Sequence, residues 1–307
     1  MKMDPKYIVV LVFIILWSLS YAGMQELKKK NTNNEKIIEP VSDSLNDSVK
    51  VSPNGSLNVY YFNVGQADSI LLENEGKYML IDAGNNADGK NIVKHLKKMG
   101  VSKIDHLVAT HAHEDHIGGM DDIINNFTID NFYMSDVVTT TKTFEDMIAA
   151  LEENEVSVTI PKINDVFLLG SCKMQVMHLS NDDSDLNDTS IVIRGLFGDN
   201  TFLFMGDASS KVEANILNSG IDSDVLKVGH HGSKYSSSIS FLKKVTPSIS
   251  IISVGEGNSY SHPHDVTINN LLKFSRQVYR TDKDGSILVT SDGVELSVKK
   301  LNVNLNG

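Results

Sequence analysis

Thr110-His111-Ala112-His113-Glu114-Asp115-His116-Ile117-Gly118-Gly119 is the stretch on which the reading of this chain turns. Three imidazoles and the Asp115 carboxylate fall between residues 111 and 116, directly after the apolar run Leu107-Val108-Ala109, which predicts a strand. Imidazole and carboxylate are the donor set of borderline divalent metals such as zinc, manganese and iron. On a strand or a regular helix these side chains would diverge. On a loop leaving the end of a strand, the His-x-His and Asp-His pairs can converge on one or two ions. The stretch is therefore expected to be a metal site.

Other polar residues follow apolar strands in the same way. Phe202-Leu203-Phe204-Met205-Gly206-Asp207 delivers a carboxylate through a glycine turn, in a place where it can bridge two metals. Val225-Leu226-Lys227-Val228-Gly229 leads into His230-His231-Gly232-Ser233. Of these two histidines one is expected to ligate and the other to contact substrate or donate a proton. His178 ends the run Met174–His178 and is a candidate third imidazole for the first metal. Asp82, in Leu80-Ile81-Asp82-Ala83-Gly84, is expected to lie beneath the site and orient a metal-bound histidine. His262, in Ser259-Tyr260-Ser261-His262-Pro263, is a candidate substrate contact or final ligand. His95 and His106 fall away from these clusters and read as structural; His264 receives no role.

Between and around these points the chain alternates short apolar runs with amphipathic ones. Leu57–Asn63, Ser69–Glu73 and Tyr78–Asp82 read as an antiparallel start. Asp88–Met99 has helical spacing at Ile92, Val93, Leu96 and Met99, and stops at Gly100. Helices are expected at Met120–Asn126, Phe144–Glu153, Lys211–Asn218, Ile239–Val245 and Val266–Phe274. Strands are expected at Leu107–Thr110, Val156–Ile160, Met174–His178, Ile191–Leu196, Thr201–Met205, Val225–Val228, Ile249–Ser253, Gln277–Arg280, Ser286–Thr290 and Val294–Val298. Strand pairs interleaved with single helices, in two successive halves, predict an α/β (α+β) fold: two packed sheets with helices outside, a four-layer αββα sandwich.

The 307 residues leave room for one large domain, 56–307, after an N-terminal extension. At the start, Lys2 and Lys6 flank the apolar run Tyr7–Leu19, and Ser20-Tyr21-Ala22 carries small residues where a signal peptidase reads. Residues 1–23 are expected to be a signal peptide or membrane anchor, which places the domain outside the cell or on the outer face of the cytoplasmic membrane. Cysteine does not follow the run, so lipoprotein anchoring is not expected. Residues 24–55 are rich in Lys, Asn, Ser, Asp and Glu and read as a flexible linker. The formal charge of −11 sits on the globular part, because the first 54 residues are nearly balanced. Such a domain has no global pull on nucleic acid or anionic lipid. Bound cations would offset this locally, so cleavage of a phosphate ester stays open. Cys172 is the single cysteine, which excludes an intrachain disulfide and a thiolate-only metal site.

The metal stretch resembles the motif of the metallo-β-lactamase fold hydrolases, and more narrowly the whole globular part is similar to the hydrolase domain of ComEC-type competence proteins. The matching segments are Asn63-Val64-Gly65-Gln66-Ala67-Asp68-Ser69, Leu80–Gly84, Phe202–Asp207, Asp224–Ser233, Ser259–Pro263 and Thr281-Asp282 with Gly285-Ser286-Ile287. The resemblance implies an αββα fold with two divalent ions, usually zinc and sometimes manganese. It implies His111, His113, Asp115, His116, Asp207 and His231 as ligands, with His178 as a further one or Asn187 in its place. His230, Ser233, Tyr260 and His262 would bind substrate. Ala67 stands where the family usually has glycine, and reads as a structural variant. The family's multi-helix membrane channel has no counterpart here, so a direct role in translocating DNA is not expected.

The expected function is that of an exported metal-dependent hydrolase, a phosphodiesterase or nuclease in which metal-activated water attacks phosphorus. Asp115 would orient the nucleophile, and His230 would protonate the leaving group or bind the oxyanion. The substrate class is a phosphodiester, extracellular DNA or a cell-wall polymer; a membrane contact would come through an uncleaved N-terminal helix, and no protein partner is implied. Alternatives are a phosphorylcholine esterase, another ester or lactone hydrolase of the same fold, and a non-catalytic surface domain.

Overall fold

The computed structural model describes residues 53–307. The expected export helix, and all but the end of the expected linker, lie outside the described residues. Among the described residues no helix is long and apolar enough to cross a membrane.

The first half runs β1 (Leu57–Tyr61), β2 (Ile70–Asn74), β3 (Lys77–Ile81), helix α1 (Gly89–Lys98), β4 (Lys103–Ile104), β5 (His106–Val108), the single turn α2 (Glu114–Ile117), α3 (Met120–Asn126), β6 (Thr128–Ile129), β7 (Phe132–Tyr133), α4 (Lys142–Glu153) and β8 (Val158–Thr159). The second half runs β9 (Val166–Leu169), β10 (Cys172–His178), β11 (Val192–Phe197), β12 (Asn200–Phe204), α5 (Ser210–Ile216), β13 (Val225–Lys227), α6 (Ile239–Val245), β14 (Ile249–Ile252), α7 (Asp265–Phe274), β15 (Gln277–Arg280), α8 (Thr281–Asp284), β16 (Ser286–Ser291) and β17 (Leu296–Leu301). One sheet has eight strands in the order β17-β16-β1-β2-β3-β5-β7-β8, the other seven in the order β15-β14-β13-β12-β11-β10-β9. The last hairpin therefore returns to the first sheet, where β16 pairs antiparallel with β1.

Side-chain alternation along the strands explains the layering. Leu57, Val59 and Tyr61 of β1, Met79 and Ile81 of β3, Phe202 and Phe204 of β12 and Val225 of β13 share one apolar layer between the sheets. Leu71, Leu80 and Leu107 point the other way, onto Ile92 and Leu96 of α1, Ile123 of α3 and Phe144 and Leu151 of α4. Leu203 and Leu226 face outward from the second sheet onto Val212 and Ile216 of α5, Phe241 of α6 and Leu271 of α7. Three apolar layers separate four layers of secondary structure, helix on sheet on sheet on helix.

The elements follow the sequence pattern closely where that pattern is long. α1 buries Ile92, Val93 and Leu96 on one face, and α4 begins where the Thr141 hydroxyl accepts the Phe144 N–H. Two differences stand out, the first of them at the site. The expected loop at 111–116 is extended only to His113, after which Glu114–Ile117 forms a helical turn with His113 at its N-cap. The glycines that follow allow that turn to seat against the Ala83–Asn86 loop: a Cβ on Gly118 would lie 2.2 Å from backbone atoms of Asn85 and Asn86. Ala83 N–H donates to His116 O, and Gly118 N–H to Gly84 O. The other difference is β9, a half-exposed edge strand that has no counterpart in the expected elements.

Candidate metal centre

Asp82, the 110–116 segment, Asp207 and the His230–His231 pair each follow the C-terminal end of a strand, β3, β5, β12 and β13 respectively, and converge at one edge of the sandwich. Donor atoms of Asp115, His116, Asp207 and His231 all lie within 4.8 Å of one another. His116 Nε2 is 3.3 Å from Asp207 Oδ1, and His231 Nε2 is 3.3 Å from Asp115 Oδ2 and 3.5 Å from Asp207 Oδ2. Three of the four side chains are almost fully buried; Asp115 is the open one, at 28% exposure. Beside them, His111 Nε2 and His113 Nδ1 face each other at 2.9 Å, and the His111 ring lies 4.1 Å from that of His116.

The back of each ring is fixed. His116 Nδ1 is 2.7 Å from Asp82 Oδ2, and the Asp82 carboxylate also accepts the Thr110 N–H and hydroxyl, each at 2.8 Å. His231 Nδ1 donates to the Ser253 carbonyl at 3.0 Å. With Nδ1 held as the donor in both rings, the Nε2 lone pairs turn into the cluster. There His116 Nε2, His231 Nε2 and Asp207 Oδ1 are buried without a hydrogen bond. Buried polar atoms that face one another without bonding normally serve a ligand, and a nitrogen and carboxylate set of this kind suits a divalent cation.

The electrostatics agree. Burial opposes charge on His116, yet Asp207, Asp82 and Asp115 together hold its pKa well above the ordinary histidine value. Burial likewise opposes charge on His231, and Asp207 and Asp115 lead in raising it. Asp207 and Asp115 are pushed down in turn by those two rings, against the effect of burial. A pocket that draws protons this strongly draws a divalent cation for the same reason, and the cation displaces those protons as it binds. His111 differs: burial, reinforced by His116, keeps it well below the usual value, so its neutral ring can ligate directly.

His230 and His231 both have φ of +50°, in the left-handed region that costs a non-glycine residue on the order of 1 kcal/mol or more. The strain brings both rings to Asp207, His230 Nε2 at 3.8 Å and His231 Nε2 at 3.5 Å. Gly206 O anchors the His230 N–H at 3.1 Å.

The metallo-beta-lactamase superfamily matches residues 62–256 of this chain, and thus every residue of the cluster. The chain belongs to the metallo-beta-lactamase superfamily. It is a metal-dependent hydrolase of that superfamily, with its His/Asp cluster in place. Among curated proteins it is 30% identical to ComE operon protein 3 of Bacillus subtilis over 64% of this chain and 26% of that one. It is 28% identical to competence protein ComA of Neisseria gonorrhoeae over 76% of this chain and 32% of that one. The chain thus spans about a quarter to a third of the length of the curated relatives it matches. Among solved structures, the metallo-beta-lactamase fold protein YhfI from Bacillus subtilis superposes with a TM-score of 0.54 at 11% identity, covering 80% of this chain and 100% of that one. CmlA, a diiron beta-hydroxylase from Streptomyces venezuelae, superposes with a TM-score of 0.52 at 13% identity, covering 81% and 55%. Both likenesses are of fold alone.

Within this metallo-β-lactamase fold the remaining candidates fall in different places. His178 Nε2 meets the Asp188 carbonyl at 3.0 Å. The neighbouring Asn187 has a buried Oδ1 without a hydrogen bond, the state expected of a neutral oxygen donor awaiting a ligand. Ser233 is buried, its hydroxyl accepting the Tyr235 N–H. His262 stands next to both cluster histidines, its ring 5.6 Å from that of His230 and 6.4 Å from that of His231. Tyr260 stacks on His262 from the solvent side. Three residues had no expected role. Thr110 supports Asp82; Gln66 reaches His262 Nδ1 at 3.4 Å and accepts the Gly255 N–H; and Lys227 is buried at 2.5 Å from Asp68, whose other oxygen is 3.5 Å from His231 Nδ1. A lysine inside the apolar run Val225–Val228 was the available signal for the last of these.

Because Asp82 sets the ring position and tautomer of His116, Asp82→Asn is expected to weaken metal affinity about 10- to 100-fold. Chelator competition measures it directly; an unchanged dissociation constant would remove Asp82 from the support of the centre.

Proposed function

We propose that this chain is an exported phosphodiesterase that uses a pair of divalent ions, zinc in the first instance, at the outer face of the membrane or beyond it. The observation that carries the reading is the pairing of two donor groups, His111 with His113 and Asp115–His116–Asp207–His231, around buried donor atoms that lack hydrogen-bond partners. His111, His113 and either Asn187 or His178 would hold one ion, and Asp115, His116 and His231 the other, with Asp207 between them. When bound, such ions supply Lewis acidity and bring the pKa of water toward neutrality.

The chain's own residues supply position and hydrogen bonds. Asp115, the most open carboxylate of the cluster, accepts a hydrogen bond from the attacking water and aligns it. His230 stands at the rim, beside Asp207, with its pKa lowered by burial. A ring kept neutral is a better donor of a hydrogen bond to the developing oxyanion than of a whole proton, so we assign it the former role. Ser253 and Asp82 keep the two ligand rings from rotating as charge develops.

The test is metal analysis of the full chain together with hydrolysis of bis-p-nitrophenyl phosphate, single-stranded DNA and a phosphorylcholine ester. Two ions per chain are expected, with turnover of the first two substrates that chelation abolishes and zinc or manganese restores. Fewer than one ion per chain, with no turnover after reconstitution, would sink the reading; turnover of the choline ester alone would redirect it to cell-wall polymers.

A further inference from the structure

The face above the cluster is built from aromatic rings in an ordered arrangement. The His231 and His262 rings lie 24° from parallel at 6.4 Å, and the His262 and Tyr260 rings 25° from parallel at 5.6 Å. The three rings make a column that starts at a member of the metal cluster and ends at Tyr260, which is 64% exposed. A large aromatic side chain on a surface turn is ordinarily free to move, but this turn is fastened. Asn258 Oδ1 accepts the N–H groups of Tyr260 and His262, and Asn258 Nδ2 donates to the carbonyls of His262 and Gly255. Gln66 steadies the middle ring from the opposite side. The turn that carries Tyr260 is therefore fixed before any ligand arrives, which removes part of the entropic penalty of binding.

An ordered column of near-parallel rings with an open outer face fits a flat π-system stacked as the next member. The rings set at angles, His230 at 81° and His264 at 61°, meet His262; the exposed Tyr260 pairs near-parallel with His262 instead, so its outer face offers a stacking surface rather than the cage that binds a quaternary ammonium group. Lys234, exposed on the adjoining loop, donates its backbone N–H to His264 Nδ1, and its ammonium lies over the Tyr235 ring, 5.2 Å from the centroid.

We propose that Tyr260 is a stacking platform for the base of a nucleotide next to the phosphate held at the centre. The base must be free of the helical stack, since both faces of a base inside a duplex are covered by its neighbours and only a single-stranded or splayed base can offer one to an exposed ring. The proposal rests on the phosphodiesterase reading and adds to it a base-recognising subsite.

A single-stranded oligonucleotide carrying 2-aminopurine, titrated into the full chain and into Tyr260→Ala and Tyr260→Trp, tests this by fluorescence, with hydrolysis followed in parallel. Stacking on an aromatic side chain gives an expected loss of about 5- to 150-fold in affinity on Tyr260→Ala. Quenching should be lost with it, Tyr260→Trp should preserve both, and an oligonucleotide abasic at the same position should show no difference between the variants. Equal affinity of Tyr260→Ala and the unsubstituted chain would overturn the platform, as would a loss shared equally by the abasic strand. A Tyr260→Ala defect confined to a phosphorylcholine ester would also overturn it, in favour of a cationic occupant. Tyr260-dependent binding without hydrolysis would count against the phosphodiesterase reading while leaving the platform intact; hydrolysis without such binding would do the reverse.

Discussion

Asp207→Ala is expected to lower kcat by roughly 10³-fold or more while leaving the fold in place. The comparison is with loss of a single oxyanion-hole donor, which costs about 10²- to 10³-fold; Asp207 touches more of the centre than one such donor would. Its two oxygens face His116, His231 and His230, so its removal withdraws the only carboxylate common to those three rings among the described residues. The backbone that carries it does not depend on the side chain, because the Asp207 N–H is held by Ser190 Oγ. Circular dichroism should therefore be unchanged while metal content falls by at least one ion per chain. Retained activity would remove Asp207 from the centre and leave the assignment of His116 and His231 without its shared counter-charge.

Lys227→Met should have the largest effect on stability. Lys227 and Asp68 are both fully buried between the sheets, where the ammonium meets Asp68 Oδ2 and also donates to the Val228 carbonyl. Removing one member of such a pair leaves an uncompensated charge in the interior, at a cost of about 3–5 kcal/mol. Replacing both, as Lys227→Met with Asp68→Leu, should restore most of the loss, since apolar packing substitutes well for a buried pair. Urea unfolding of the metal-free protein separates the two outcomes. A single substitution costing under about 1 kcal/mol would mean that the Lys227–Asp68 pair contributes little to stability.

The long elements and most of the donors were legible because they obey local rules. Strands in this sandwich alternate between two apolar layers, and a polar residue just past such a run has little choice but the sheet's edge, as Asp207 and His231 illustrate. What depended on contacts far apart along the chain was not legible. Asp68 and Lys227 are separated by 159 positions, and only the burial of β13 shows that its lysine needs a partner. Two-residue strands such as β6 and β7 are too short to carry a period. His178 shows a subtler limit: it ends its strand as expected, but the pairing register of β10 with β11 slips between Val176 and His178. An irregularity of this kind is set by the pairing of two strands and leaves no trace in local periodicity.

The return of the final hairpin to the first sheet has a consequence for how the molecule is made. β1, the first strand, finds its second neighbour only when β16 has been synthesised. The loop that leaves β1 toward Asp68 is pinned at Asn63, by the Ser286 hydroxyl at the N–H and by the Leu305 N–H at the carbonyl. Every donor from His111 to His231 leaves the ribosome before those contacts can exist. A nascent chain stalled short of residue 286 would hold the ligands without the wall behind them, so full assembly of the centre waits until translation has passed Ser286 and Leu305.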